Sequence, residues 1–91
     1  MSKLIVMNRY DSETLDKALK TDAEITLIQD AVLFANKNIE ANNKLQAHKI
    51  YALETDVEKR GMKDRLLQYV ELINVDALVD LLFNGKTVLN L

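Results

Sequence analysis

The chain has 91 residues, 48% hydrophobic and 29% charged, with 12 Lys and Arg against 14 Asp and Glu, a formal net charge of -2 and no cysteine. One domain is expected at this length, recurring apolar runs argue against disorder, and the charge balance excludes the basic field on which strong direct nucleic-acid binding rests. The missing thiol removes disulfides and thiolate metal sites, no apolar segment approaches the roughly 18 residues of a bilayer span, and Met1-Ser2-Lys3 carries no signal-peptide pattern, so a cytoplasmic protein is expected.

In chain order, Leu4 to Met7, Ile25 to Ile28, Ile50 to Leu53 and Val70 to Ile73 are short apolar runs without a clean period of two. Strands buried on both faces read this way. Between them lie helical patterns at Ser12 to Lys20, after Asp30, at Thr55 to Arg60 and at Val75 to Phe83. The last carries Val75, Leu78, Val79 and Leu82 as an i, i+3, i+4, i+7 stripe. Val88 and Leu89 add a short final strand. Strands alternating with helices in single file predict a parallel sheet covered on both faces. Gly61 and Gly85, the only glycines, each follow a predicted helix, where a left-handed residue closes the last turn. The stretch Asn36 to Lys44, with four asparagines, is read as the least regular segment.

Ligands of an open parallel sheet meet the carboxyl ends of the strands. Those positions hold Arg9-Tyr10-Asp11, Gln29-Asp30, Glu54-Thr55-Asp56 and Asn74-Val75-Asp76, so an acid stands at or near every helix start. Carboxylates there cap N–H groups and take up the positive dipole end that attracts phosphate. No glycine-rich phosphate loop is present, which disfavours a nucleotide or flavin site. Asp30 and Asp56 are read as caps, with an acid–base pair as the sharper alternative. His48 has no second His or Cys to complete a metal site and reads as an isolated surface histidine. Lys59, Arg60, Lys63 and Arg65 are interleaved with Glu58 and Asp64, as on a solvated helix end, and Arg60 is placed to reach Asp56 at i, i+4.

The apolar run Ala31-Val32-Leu33-Phe34-Ala35 is too long for a helix with one buried face. At 100° per residue Val32, Ala35 and Ile39 share a face and Phe34 lies about 200° from Val32. Either an adjacent loop covers Phe34, or Phe34 points outward as the anchor of a subunit interface.

Leu27-Ile28-Gln29-Asp30, Lys49-Ile50-Tyr51-Ala52-Leu53, Asp56, Arg60-Gly61, the first strand and the closing strand–helix segment from Leu72 together resemble the DsrH/TusB family of sulfur-relay subunits over nearly the whole chain. The resemblance implies a three-layer α/β/α fold with a mostly parallel five-stranded sheet, and assembly with DsrE-like (TusD) and DsrF-like (TusC) subunits. It also implies a relay that serves 2-thiolation of the tRNA wobble uridine, with sulfur oxidation as the related pathway. Gln29, Asp30, Asp56, Arg60 and Gly61 fall on family-typical positions. Some members carry a cysteine; this chain departs from them, so it cannot carry a persulfide itself, and neither cofactor nor metal is expected. The alternative is a free-standing homo-oligomeric domain that binds a small ligand at the acidic strand ends.

Overall fold

The computed structural model describes residues 3–37, 48–83 and 87–90. Five strands, β1 (Lys3–Met7), β2 (Glu24–Leu27), β3 (Ile50–Leu53), β4 (Val70–Ile73) and β5 (Thr87–Asn90), form one sheet. Their order is β4-β3-β2-β1-β5, and every pairing is parallel. The connections are helix α1 (Ser12–Leu19), a 3-10 helix (Gln29–Ala35), helix α2 (Glu54–Lys59) with a 3-10 turn (Lys63–Arg65), and helix α3 (Val75–Leu82).

The order decides the layering. From β1 to β4 the chain steps one strand at a time toward the same edge, and then returns across the sheet to place β5 beyond β1. Parallel crossovers are right-handed, so a reversed step puts its helix on the opposite face. Thus α1, the 3-10 helix and α2 cover one side, and α3 alone among the described helices lies on the other. The fold is the three-layer α/β sandwich the strand–helix alternation implies.

Side-chain alternation separates the two faces. Ile5, Met7, Ile25, Leu27, Ile50, Ala52 and Val70 project into the main core, where Leu15 and Ala18 of α1 and Val57 of α2 meet them. The intervening residues Leu4, Val6, Thr26, Tyr51 and Ile73 are also buried, but stand outside that core cluster on the α3 side. Burial on both sides explains why β1 reads as a continuous apolar run. Thr26 is fully buried there, and its hydroxyl has no hydrogen-bond partner among the described residues.

The helix after Asp30 departs from the expected geometry. It is 3-10, with three residues per turn, so residues i and i+3 eclipse. Ala31 and Phe34 then share one face and Val32 and Ala35 a second, and all four are buried; the third line, Asp30, Leu33 and Asn36, is the outer one. Phe34 is therefore not an exposed interface anchor. It is 4% exposed, and Tyr10, from the loop after β1, lays its ring against it at 4.5 Å between centroids. The covering loop is the reading that holds. The end of this helix is tied down by Leu67 N–H donating to the Ala35 carbonyl and Lys37 N–H to the Arg65 carbonyl. Ile39, the remainder of the asparagine-rich stretch and Gly85 lie outside the described residues.

Candidate functional site

Three of the strand-end positions singled out in the sequence converge around one guanidinium. Gln29, directly after β2, has φ of 51°, a left-handed conformation uncommon outside glycine. This turn directs its N–H at the Asp56 carboxylate, which accepts at 2.7 Å across 27 residues of sequence. Asp56 thus satisfies a free donor at the start of the 3-10 helix, although it belongs to α2. Arg60, one turn on, donates from Nη1 to the Asp56 carbonyl at 3.2 Å and lies 3.8 Å from its carboxylate, as the i, i+4 spacing predicts. Its Nη2 and Nε both reach Asp30 Oδ1, at 2.8 and 3.3 Å.

Asp30 is consequently not a helix cap. Ile28 occupies the cap position with no side-chain bond, and the Asp30 carboxylate, 69% exposed, faces Arg60 instead. Asp30 and Asp56 do meet, but through a cation that neutralises them, which is a clamp between two strand–helix junctions and not an acid–base pair. Gly61, at φ 64°, lets the chain leave α2 in the left-handed conformation expected of it, and Met62 N–H then turns back to the Val57 carbonyl. Capping itself occurs elsewhere. Asp11 accepts from Glu13 N–H and from the Thr14 hydroxyl, bonds that hold its carboxyl below the usual value, the hydroxyl bond contributing most. Asn74 accepts from Ala77 N–H at 2.8 Å.

His48 precedes β3 and sits at the opposite end of the strands from the clamp. Lys63 pairs with Glu58 at 3.3 Å on the surface, so the basic cluster is a solvated helix end apart from Arg60. Among the described residues no group of His, Asp and Glu has the makings of a metal site, and no helix is long and apolar enough to cross a membrane.

A second constellation was not legible in the sequence. Between α3 and the β3–β4 edge lies a groove of about 490 Å³ lined by Tyr51, Glu71, Ile73, Ala77, Asp80, Leu81 and Phe83. The Tyr51 hydroxyl donates to Glu24 at 2.7 Å. Burial, reinforced by that bond and by the charges of Glu24 and Glu71, pushes the phenol up to about 12. Lys49 lies 5.5 Å from the Tyr51 ring centre and 3.5 Å from Glu71. Glu71 beside Tyr51 follows from strand order, since β4 pairs with β3 in the register Tyr51–Glu71. The one available signal was a charged residue inside the run Val70-Glu71-Leu72-Ile73.

A parallel five-stranded α/β/α sandwich defines the fold class. The chain belongs to the DsrH-like family, whose model matches residues 7–88. In fold it is similar to the ychN protein of E. coli, at 19% identity and a TM-score of 0.75 over 100% of both chains. It is also similar to MTH1491, a protein of unknown function from Methanobacterium thermoautotrophicum, at 14% identity and a TM-score of 0.79, covering 99% of this chain and 98% of that one. A third similar structure is BT1422, of unknown function, from Bacteroides thetaiotaomicron, at 17% identity and a TM-score of 0.74, covering 98% and 94%. No curated protein matches the sequence.

Proposed function

We propose that this chain is a non-catalytic subunit of a sulfur-relay complex that supports 2-thiolation of the tRNA wobble uridine, assembled with DsrE-like and DsrF-like subunits in the cytoplasm. The observation that carries the reading is the pairing of DsrH-like family membership over residues 7–88 with a chain that has no cysteine. Relay chemistry passes sulfane sulfur from one thiolate to the next. A methionine thioether has no S–H to ionise and cannot take a persulfide, so the sulfur must stay on partner chains while this subunit holds them in place.

The strand-end clamp fits a supporting role. Arg60 and the Gln29 N–H, which would otherwise draw an anion, are already engaged by Asp30 and Asp56. What they supply is a fixed junction between β2, β3 and α2. The reading is tested by deleting the gene in its native host and measuring thiolated wobble uridine by nucleoside mass spectrometry, alongside labelled-sulfur transfer to the purified chain. Loss of the thiolated nucleoside with no reductant-labile label on this chain is expected. Unchanged tRNA thiolation overturns the tRNA assignment, and covalent label on the chain overturns the non-carrier role.

A further inference from the structure

Helix α3, on the other side of the sheet from the main core, is apolar on two faces at once. Ala77 and Leu81 of α3 line the groove against β3 and β4. On its outer side Val75, Val79 and Phe83 follow at i, i+4 and i+8 and are 53%, 42% and 82% exposed. Scattered surface hydrophobics are ordinary, but three along one helix line, continuous through Phe83 with a groove, form the kind of patch that marks association.

Charge restricts what can cover it. From Val75 to Leu82 the helix carries Asp76 and Asp80 and no basic residue. Asp80 and Glu71 both line the groove, and Lys49, paired with Glu71, leaves Asp80 without an ion-pair partner among the described residues. A two-fold contact of this helix with its own copy sets acid against acid. An anionic membrane surface meets the same repulsion. The groove already tolerates a cation at its mouth, since the Lys49 ammonium sits over the Tyr51 ring and beside Glu71. Ile73, Leu81 and Phe83 supply apolar wall for the methylene stem of such a side chain.

We propose that the groove between α3 and the β3–β4 edge, with the outer stripe of α3, is a docking site for a partner protein that inserts a Lys or Arg side chain from within an apolar patch. The stem lies along Ile73, Leu81 and Phe83, and the cationic head reaches Asp80 and Glu71. This goes beyond the relay reading and stands on the groove alone.

The test is a titration of the isotope-labelled full chain, followed by NMR, with a short peptide of alternating leucine and arginine and with its leucine–glutamate counterpart. The basic peptide is expected to shift resonances of Tyr51, Glu71, Asp80 and Phe83 saturably, and the acidic one is not. Binding should weaken at least tenfold in the Glu71→Gln/Asp80→Asn double variant and, by a separate route, in Val79→Ser/Phe83→Ser. These positions are exposed, and the spectrum of each variant reports that the fold is kept. Shifts absent from the groove, equal binding of the acidic peptide, or undiminished binding in both variants overturns the proposal. So does concentration-dependent self-association of the wild-type chain that Phe83→Ser abolishes, because the occupant is then a second copy.

Discussion

The two sides of the sheet are built from similar apolar strands and end up with different properties. On one side α1, the 3-10 helix and α2 bury Leu15, Ala18, Val32, Phe34 and Val57 against the strands. On the other, α3 buries none of its residues, while Tyr51, Glu71 and Lys49 occupy the β3–β4 edge and Glu24 stands beside them on β2. The contrast teaches that hydrophobic content does not identify the core-facing side of a helix. The α3 stripe Val75, Leu78, Val79, Leu82 has the period expected of a buried face, yet Val75 and Val79 are exposed and Leu78 and Leu82 only half-buried. Among the described residues one helix crosses back over the strands, and no neighbouring helix closes over it.

Two phenylalanines give the largest test of that contrast. Phe34→Ala removes a buried ring and should cost about 3 to 5 kcal/mol, enough to unfold a domain of this size or bring it close. Phe83→Ala should stay within about 0.5 kcal/mol of the parent in the isolated chain. Urea midpoints of the two variants check both; comparable losses would mean that α3 is covered within the monomer. The replacement Phe34→Glu should abolish folding, not merely dissociate an oligomer.

The clamp that joins the junctions of the better-packed side comes next. Asp56→Ala leaves the Gln29 N–H without its acceptor and Arg60 short of one, and should cost about 2 kcal/mol, as expected for a bond to a charged group. Asp56→Asn keeps an acceptor for Gln29 and should lose less. Equal losses would show that the charge toward Arg60, not the backbone bond, carries the effect.

On the α3 side the expected effect depends on pH. The Tyr51 phenol is raised to about 12, against about 10 in an unfolded chain. Its contribution is complete below pH 10 and is lost as the pH rises toward 12, because the unfolded chain releases the proton first. Half-buried Tyr69, also raised by desolvation, adds a slope of the same sign. Tyr51→Phe should therefore be less stable than the parent at pH 8, with the deficit shrinking between pH 10 and 11. A constant deficit would mean that the phenol does not contribute through its proton.

The smallest effect is expected at Asp30. Its pair with Arg60 is largely exposed, and such pairs are worth up to about 1 kcal/mol. Asp30→Ala should lower stability by less than that and become indistinguishable from the parent in about 1 M salt, where charges are screened beyond roughly 3 Å. A loss above about 1.5 kcal/mol that survives salt would reinstate it as a cap.

Much of the strand-end site was legible because its links are local. Arg60 at i, i+4 from Asp56 and Gly61 at the end of α2 follow from helix geometry. The Asp56–Gln29 and Asp30–Arg60 bonds were not legible, since they span 27 and 30 residues and depend on β2 lying beside β3. Glu24, Tyr51 and Glu71 were missed for the same reason: their meeting depends on strands β2, β3 and β4 being neighbours.

The sequence by itself determined the alternation of strand and helix, the doubly buried strands, the left-handed exit at Gly61 and the inability to carry a persulfide. Each rests on composition or on neighbours within one turn. Only the tertiary structure decided the rest. The 3-10 pitch turned Phe34 inward under Tyr10, strand adjacency made Asp56 the acceptor for Gln29, and the reversed crossover put α3 on the opposite side of the sheet from the other described helices. Those outcomes depend on which distant segments are brought together, and local propensity does not encode that choice.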